Sequence, residues 1–386
     1  MPGNFFTDDP ILGSIDLDSK YVTEAWLVDQ FVGNGLWSWG RNNNGQLGLG
    51  DAASRSSPVQ VGALTNWKLV TSGRYHITAI KTDNTLWSWG QNYYGNLGLG
   101  DTTNRSSPVQ VGTLTNWKLV NSGRYHTTAI KTDGTLWLWG NNSYGQSGLG
   151  DVANRSSPVQ VGTLTNWKLV AGGGYHTAAI KNDGTLWSWG QNYFGQLGLN
   201  DTNHRSSPVQ VGTLTNWKQV AGGGNHTAAI KIDGTLWLWG RNFYGQLGLD
   251  NQTDRSSPVQ VGTLTNWKLV ASGIYHTTGI KTDGTLWSWG QNTNGQLGLG
   301  DTAGRYSPVQ VGTLTNWKQV VVGGQHTVAI KIDGTLWLWG YNMYGGLGLG
   351  DIAGRSSPVQ VGTLTNWKLA TSGGYHTAAI TFNDIT

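Results

Sequence analysis

The motif Leu-Trp-x-Trp-Gly returns every 50 residues along this chain, its first tryptophan falling at Trp37, Trp87, Trp137, Trp187, Trp237, Trp287 and Trp337. A second tryptophan follows two residues later, as at Trp39, and a third opens a Trp-Lys pair once per unit, from Trp67 to Trp367. Seven units without an insertion run from Trp37 to the end of the 386-residue sequence, and with Trp26 they account for all 22 tryptophans. A fixed period of roughly 40–50 residues holding several short strands specifies a β-propeller, because one unit cannot bury its apolar faces without stacking on its neighbours. The period sets the fold class: all-β, a seven-bladed propeller with four-stranded blades.

One unit shows why. Trp167 to Ala171 alternates apolar and polar, and His176 to Lys181 follows after a glycine-rich link. Asp183-Gly184 predicts a two-residue hairpin of type I′, with glycine supplying positive φ. Thr185 to Gly190 pairs back, and a long polar loop leads to Ser207-Pro208-Val209-Gln210-Val211. Proline has no N–H for a ladder, so this last strand belongs at the outer edge of the blade. Helical periodicity is absent from the units.

The array begins with the third strand of a unit, Leu36 to Gly40, and ends with the first two, Trp367 to Ile380. Sharing one blade between the ends covers both edges and locks the ring. This divides the chain into a propeller over 33–386, closed by its own termini, and an extension over 1–32. In the extension, Asp18-Ser19 offers an N-cap, and Tyr21, Ala25, Val28 and Val32 share one side at helical spacing. A short amphipathic helix with Tyr21, Val22, Trp26 and Phe31 as anchor candidates is expected there.

Composition narrows the function classes. The chain has no cysteine, which excludes disulfides, thiolate metal sites and a cysteine nucleophile. No run of 18 apolar residues exists, so no helical membrane insertion is expected. The first twenty residues carry acids where a signal peptide needs a basic start. A net charge of +4 is weak evidence for any partner.

The run Val170-Ala-Gly-Gly-Gly-Tyr-His-Thr-Ala-Ala-Ile180 and the segment Trp289 to Asp301, Trp-Gly-Gln-Asn-Thr-Asn-Gly-Gln-Leu-Gly-Leu-Gly-Asp, closely resemble the repeat signature of the regulator-of-chromosome-condensation family. The likeness recurs over 36–380 and implies a seven-bladed propeller. It says little about activity, because one fold serves many functions. The family's guanine-nucleotide exchange member works through a wedge inserted in one blade. With every unit at 50 residues there is no room for one here, and exchange is the least expected activity. The family's plant ultraviolet photoreceptor uses tryptophan where this chain has Tyr75, Tyr125, Tyr175, Asn225, Tyr275, Gln325 and Tyr375, so photoreception is not expected either.

No constellation for catalysis breaks the repeat symmetry, and the expectation is a non-enzyme without cofactor or metal. His76 to His376 recur once per unit and are expected to fix their own blades, while His204, outside the register, has no partner legible in sequence. The Asn-Gly loops lack the spacing and glutamate of a calcium loop. Lysine and arginine spread evenly round the ring, with Arg41, Arg74, Arg124 and Arg241 the extras, so nucleic acid is not an expected partner. Variation between units falls in three windows, 43–44, 52–54, 71–75 and their equivalents. The first gathers Tyr93, Tyr94, Tyr144, Tyr193, Phe194, Phe243, Tyr244 and Tyr344 among amide-rich loops, a candidate binding rim for a cell-surface glycan or a protein.

These features together lead to the expectation of a binding or structural module, best read as a phage tail or capsid accessory or adhesion protein. Its extension would hold virion structural proteins, and it would be extracellular after lysis. The alternative is a cytoplasmic interaction scaffold.

Overall fold

The computed structural model describes residues 34–382, and these form 28 strands in seven four-stranded antiparallel sheets. The unit read above folds as Trp167–Gly172, His176–Lys181, Leu186–Gly190 and Arg205–Gln210, ordered from the channel outwards. Five further blades repeat it over 67–110, 117–160, 217–260, 267–310 and 317–360. The second strand of every blade is buried along its whole length, since both its faces meet neighbouring blades. Pro208 sits in the outer strand, where its missing N–H costs no ladder bond.

The seventh blade joins the two ends of the described chain. Gly35–Gly40 pairs on one side with Arg55–Gln60 and on the other with His376–Thr381, in register Leu36 to Ile380 and Ser38 to Ala378. Trp367–Ser372 completes the sheet as its inner strand. Across the next boundary, Trp39 Nε1–H donates to the Gly346 carbonyl at 3.0 Å.

The hairpin between second and third strands differs from the type I′ turn expected. That turn needs positive φ at both central residues. Gly184 has it, at 76°, and Asp183 does not. The Gly184 N–H instead donates to the Lys181 carbonyl, and Lys181 N–H to Thr185 O, both at 3.0 Å. This is a type I turn closed by a glycine bulge, the common three-residue hairpin. Asp183 is freed to accept from Thr185 N–H and Oγ1–H, and Thr185 Oγ1 accepts from Trp187 Nε1–H at 2.9 Å. Lys181 Nζ lies 3.6 Å from the centre of a Trp187 ring, so the half-buried first tryptophan of the motif is capped by a cation.

The second tryptophan of each motif is fully buried and reaches the preceding blade: Trp189 Nε1–H donates to the Gln146 carbonyl at 2.9 Å. Gly148, at φ 70°, is required beside it, because a Cβ there would stand 2.8 Å from Trp189 Nε1.

The histidines do not act within their own blades, which corrects the sequence expectation. His176 Nε2 meets Thr227 Oγ1 of the next blade at 2.9 Å, and five equivalent pairs, from His76–Thr127 to His326–Thr377, span 3.0–3.1 Å. Thr227 Oγ1–H is spent on the Gln196 carbonyl at 2.8 Å, so the imidazole must be the donor and its Nε2 carries the proton. Burial pushes the His76, His126, His226, His276 and His376 imidazoles down to about 3, and His176 and His326 down to about 4. Six of the seven are neutral bridges between blades, and His376 is the exception.

Candidate functional site

Two kinds of loop meet at one end of the channel: the link after each inner strand, residues 73–75 and equivalents, and the long loop after each third strand, residues 41–54 and equivalents. Strand direction puts both at the same end, so all three variable windows converge. The inner links form a backbone collar at the mouth, in which Gly374 N–H donates to Arg74 O, Arg74 N–H to Arg124 O and Arg124 N–H to Gly173 O. A cavity of about 100 Å³ lies there, walled by these links.

The long loops are held from beneath. Asn92 Nδ2–H donates to both the carbonyl and the carboxylate of Asp101, and Asn92 Oδ1 accepts from Leu97 N–H. The Asp101 carboxylate also takes Thr103 N–H and, at 2.5 Å, the Arg105 guanidinium. Those bonds hold its pKa below the usual carboxylate value, that from Thr103 N–H first. The oxygens a cation would need are thus already engaged by the loop itself.

The eight rim candidates divide by depth. Tyr93, Tyr193 and Phe243 stand 57–62 % exposed at the loop apices, with Met343 beside them in register. Tyr94, Tyr144, Tyr244 and Tyr344 are half-buried and pack on the next blade's inner link. Their ring centres lie 5.4 Å from Tyr125, 5.5 Å from Tyr175, 5.1 Å from Tyr275 and 5.4 Å from Tyr375 respectively. Phe194 lies under the Arg241 guanidinium at 4.9 Å. The rings form a belt around the mouth, not eight separate contacts.

Sequence reasoning assigned no binding role to the inner half of that belt. Tyr75, Tyr125 and Tyr175 follow one another at 6.5 and 5.8 Å. The Arg41 guanidinium lies 5.3 Å from Tyr75, 5.1 Å from Tyr344 and 5.8 Å from Tyr375, and Arg74 and Arg124 lie over Tyr75 and Tyr125. Burial, helped by the neighbouring Tyr125, Tyr94 and Tyr144, pushes the Tyr175 phenol up to about 12. His204 acquires partners too: it sits edge-on to Tyr193 at 4.4 Å and Tyr144 at 5.3 Å, and its Nδ1 accepts from Asn192 N–H. The signal for the tyrosines, Arg74 and Arg124 was the variability of residues 71–75, and for His204 that of the 52–54 window, neither of which sequence alone could place beside the first window.

The opposite end varies less, although one hairpin position changes through Thr82, Thr132, Asn182, Ile232, Thr282 and Ile332, and Ile232 and Ile332 are well exposed there. Leu64, Leu114, Leu164, Leu214, Leu264, Leu314 and Leu364 stand half exposed in nearly identical loops. On the outer wall, grooves such as the one of about 520 Å³ lined by Trp217, Lys231 and Trp237 follow the repeat. Tyr21, Val22, Trp26 and Phe31, the anchor candidates, lie outside the described residues.

A closed ring of seven four-stranded blades with a belt of variable aromatics at one mouth defines a tandem-repeat propeller of the kind used as a binding module. The regulator of chromosome condensation (RCC1) repeat matches residues 34–80, 83–130, 133–180 and 333–380, and an RCC1-like domain matches 161–329. The chain belongs to the regulator-of-chromosome-condensation repeat family. Among solved structures it is similar to human WBSCR16 (TM-score 0.81, 22% identity, covering 91% of this chain and 100% of that one). It is also similar to Prp20p of Saccharomyces cerevisiae, studied for binding to Gsp1p and histones (TM-score 0.82, 20% identity, 97% and 96%). Yeast RCC1 (Prp20) with Kap60 gives a TM-score of 0.84 at 20% identity, covering 99% and 96%. These likenesses establish the fold. No curated protein matches the sequence.

Proposed function

We propose that this chain is a non-catalytic propeller that recognises a ligand with the aromatic belt around one mouth of its channel. The observation that carries the reading is the convergence of the three variable windows: most of the residues that differ between otherwise near-identical blades lie in the loops at this end. The loops at this end differ at many positions from blade to blade, whereas at the other end the main change is among Thr, Asn and Ile at position 82 and its equivalents. Exposed aromatic rings beside amide-rich loops suit a glycan or a protein surface. Attachment through residues 1–32 to a virion is a proposal that rests on sequence alone. A protein partner, in a cytoplasmic scaffold, is the second reading, favoured by membership of a family in which Prp20p was studied for binding to Gsp1p and histones.

The test is a glycan array alongside a protein pull-down, each with wild type and with Tyr93→Ala combined with Tyr193→Ala. Both rings are exposed, so their loss leaves the core intact. Ligand capture that falls at least tenfold in the variant supports the belt. Capture that is unchanged removes the belt from the account, whichever ligand is found.

A further inference from the structure

We infer that Arg41, Arg74 and Arg124 form an oxyanion site at the channel mouth, and that the belt's ligand is a saccharide bearing a sulfate, phosphate monoester or carboxylate. The inference rests on the belt reading and adds the charge of what it binds.

Three arginines that are extras to the repeat fall on three consecutive blades. Arg41 follows the third strand of the closing blade, and Arg74 and Arg124 occupy the inner links of the next two. Arg41 and Arg74 share one ring, Tyr75, at 5.3 and 5.0 Å, and Arg74 Nη1 reaches the Tyr125 hydroxyl at 3.4 Å. Arg74 and Arg124 line the same cavity at the mouth, and Arg41 adjoins them through the Tyr75 ring. Six of the seven repeating arginines are neutralised by a carboxylate four residues away, as Arg55 is by Asp51 and Arg105 by Asp101, the exception being Arg255, which has Asn251 there. None of the three at the mouth has such a partner among the described residues. The Nε of each is buried and without a hydrogen-bond partner. Gathered like charges and unpaired buried donors are both costly, and a bound oxyanion relieves both. Guanidinium is the side chain whose planar fork matches a sulfate, phosphate or carboxylate.

The surroundings decide among anions. The cavity at the mouth, about 100 Å³ and lined by Arg74 and Arg124, has room for a single compact group, and the exposed Tyr93 and Tyr193 in the long loops at the same end offer rings to the body that carries it. A nucleic-acid strand needs a continuing basic track. Beyond the mouth the same loops present already paired Asp–Arg couples, which give a long polyanion nothing further to hold.

The experiment is calorimetric titration of the full chain with N-acetylglucosamine 6-sulfate, glucose 6-phosphate and glucuronic acid, with N-acetylglucosamine and glucose as neutral controls and a ten-residue oligothymidylate as competitor. At least one anionic sugar should bind tenfold or more tighter than its neutral counterpart. In Arg41→Gln/Arg74→Gln/Arg124→Gln that preference should disappear while neutral-sugar binding stays. If the triple variant does not fold, Arg41→Gln alone should cost the anionic sugar at least threefold. Equal binding of anionic and neutral sugars overturns the oxyanion site and leaves the belt standing. Tighter binding of the oligothymidylate overturns the choice of a saccharide. If no sugar binds, the inference fails, while capture of a protein by the belt would still support the belt.

Discussion

His176 donates through Nε2 to Thr227 Oγ1 across the boundary between two blades, and Thr227 Oγ1–H in turn donates to the Gln196 carbonyl. That carbonyl also accepts from Trp239 Nε1–H at 2.9 Å. One backbone oxygen thus ties together a histidine, a threonine and a tryptophan, and the arrangement recurs round the ring. It breaks once. Where the other blades have threonine the blade over 67–110 has Ile77, and neither nitrogen of His376 has a partner.

Thr227→Val removes the acceptor for His176 and the donor to Gln196. The Gln196 carbonyl keeps Trp239, but the His176 N–H is left buried and unpaired, which costs about 1–3 kcal/mol, so chemical unfolding should show a loss of that size. Ile77→Thr makes the opposite change at the break. It gives up buried apolar surface but supplies His376 with an acceptor, and stability should stay within about 1 kcal/mol of wild type. A loss as large as that of Thr227→Val would mean the bridge carries no stability.

Acid should unfold the ring early. A free imidazole titrates near 6.5, whereas burial holds the inter-blade histidines at about 3 to about 4. Between those values the unfolded chain binds protons that the folded chain refuses, so stability is full above about pH 6.5 and falls as the pH drops towards 4. The urea midpoint should be flat from pH 8 to 7 and decline steeply from pH 6 to 5. A midpoint unchanged at pH 5 would contradict the burial of neutral histidine.

Ring closure depends on a strand from the start of the propeller. Trp39 is fully buried, and it bonds Gly346 on the other side of the closing boundary. Trp39→Ala should cost about 3–5 kcal/mol, as for other large buried rings. Trp37, half-buried and bonded to Thr381 at 3.2 Å, should cost less when truncated. Equal costs would mean that closure does not rest on the buried ring.

The fold was legible because its signal is additive: seven copies of one pattern, each with the same tryptophans and the same edge proline, leave one architecture. Local geometry was harder. Asp183-Gly184 fits two hairpins, and what chooses the type I turn is Asp183 accepting from Thr185, a contact invisible to spacing. The histidines were placed in the wrong blade because sequence order cannot say whether a buried group bonds its own sheet or the next. The belt was half legible. Tyr94 and Tyr144 stood out as aromatics in polar loops, but Tyr125 and Tyr175, which they touch, lie on different strand connections. Arg41, Arg74 and Arg124 looked scattered in the sequence because the distance between them is measured in blades.

The central claim is that one mouth of the channel is the recognition surface. Hydroxyl-radical footprinting of the full chain, free and with the tightest ligand from the array or pull-down, tests it most directly. The account predicts protection of Tyr93, Tyr193 and Phe243 at that mouth and none at Leu64, Leu114 and Leu164 at the other end. Protection of the leucine ring with the tyrosines unchanged would contradict it.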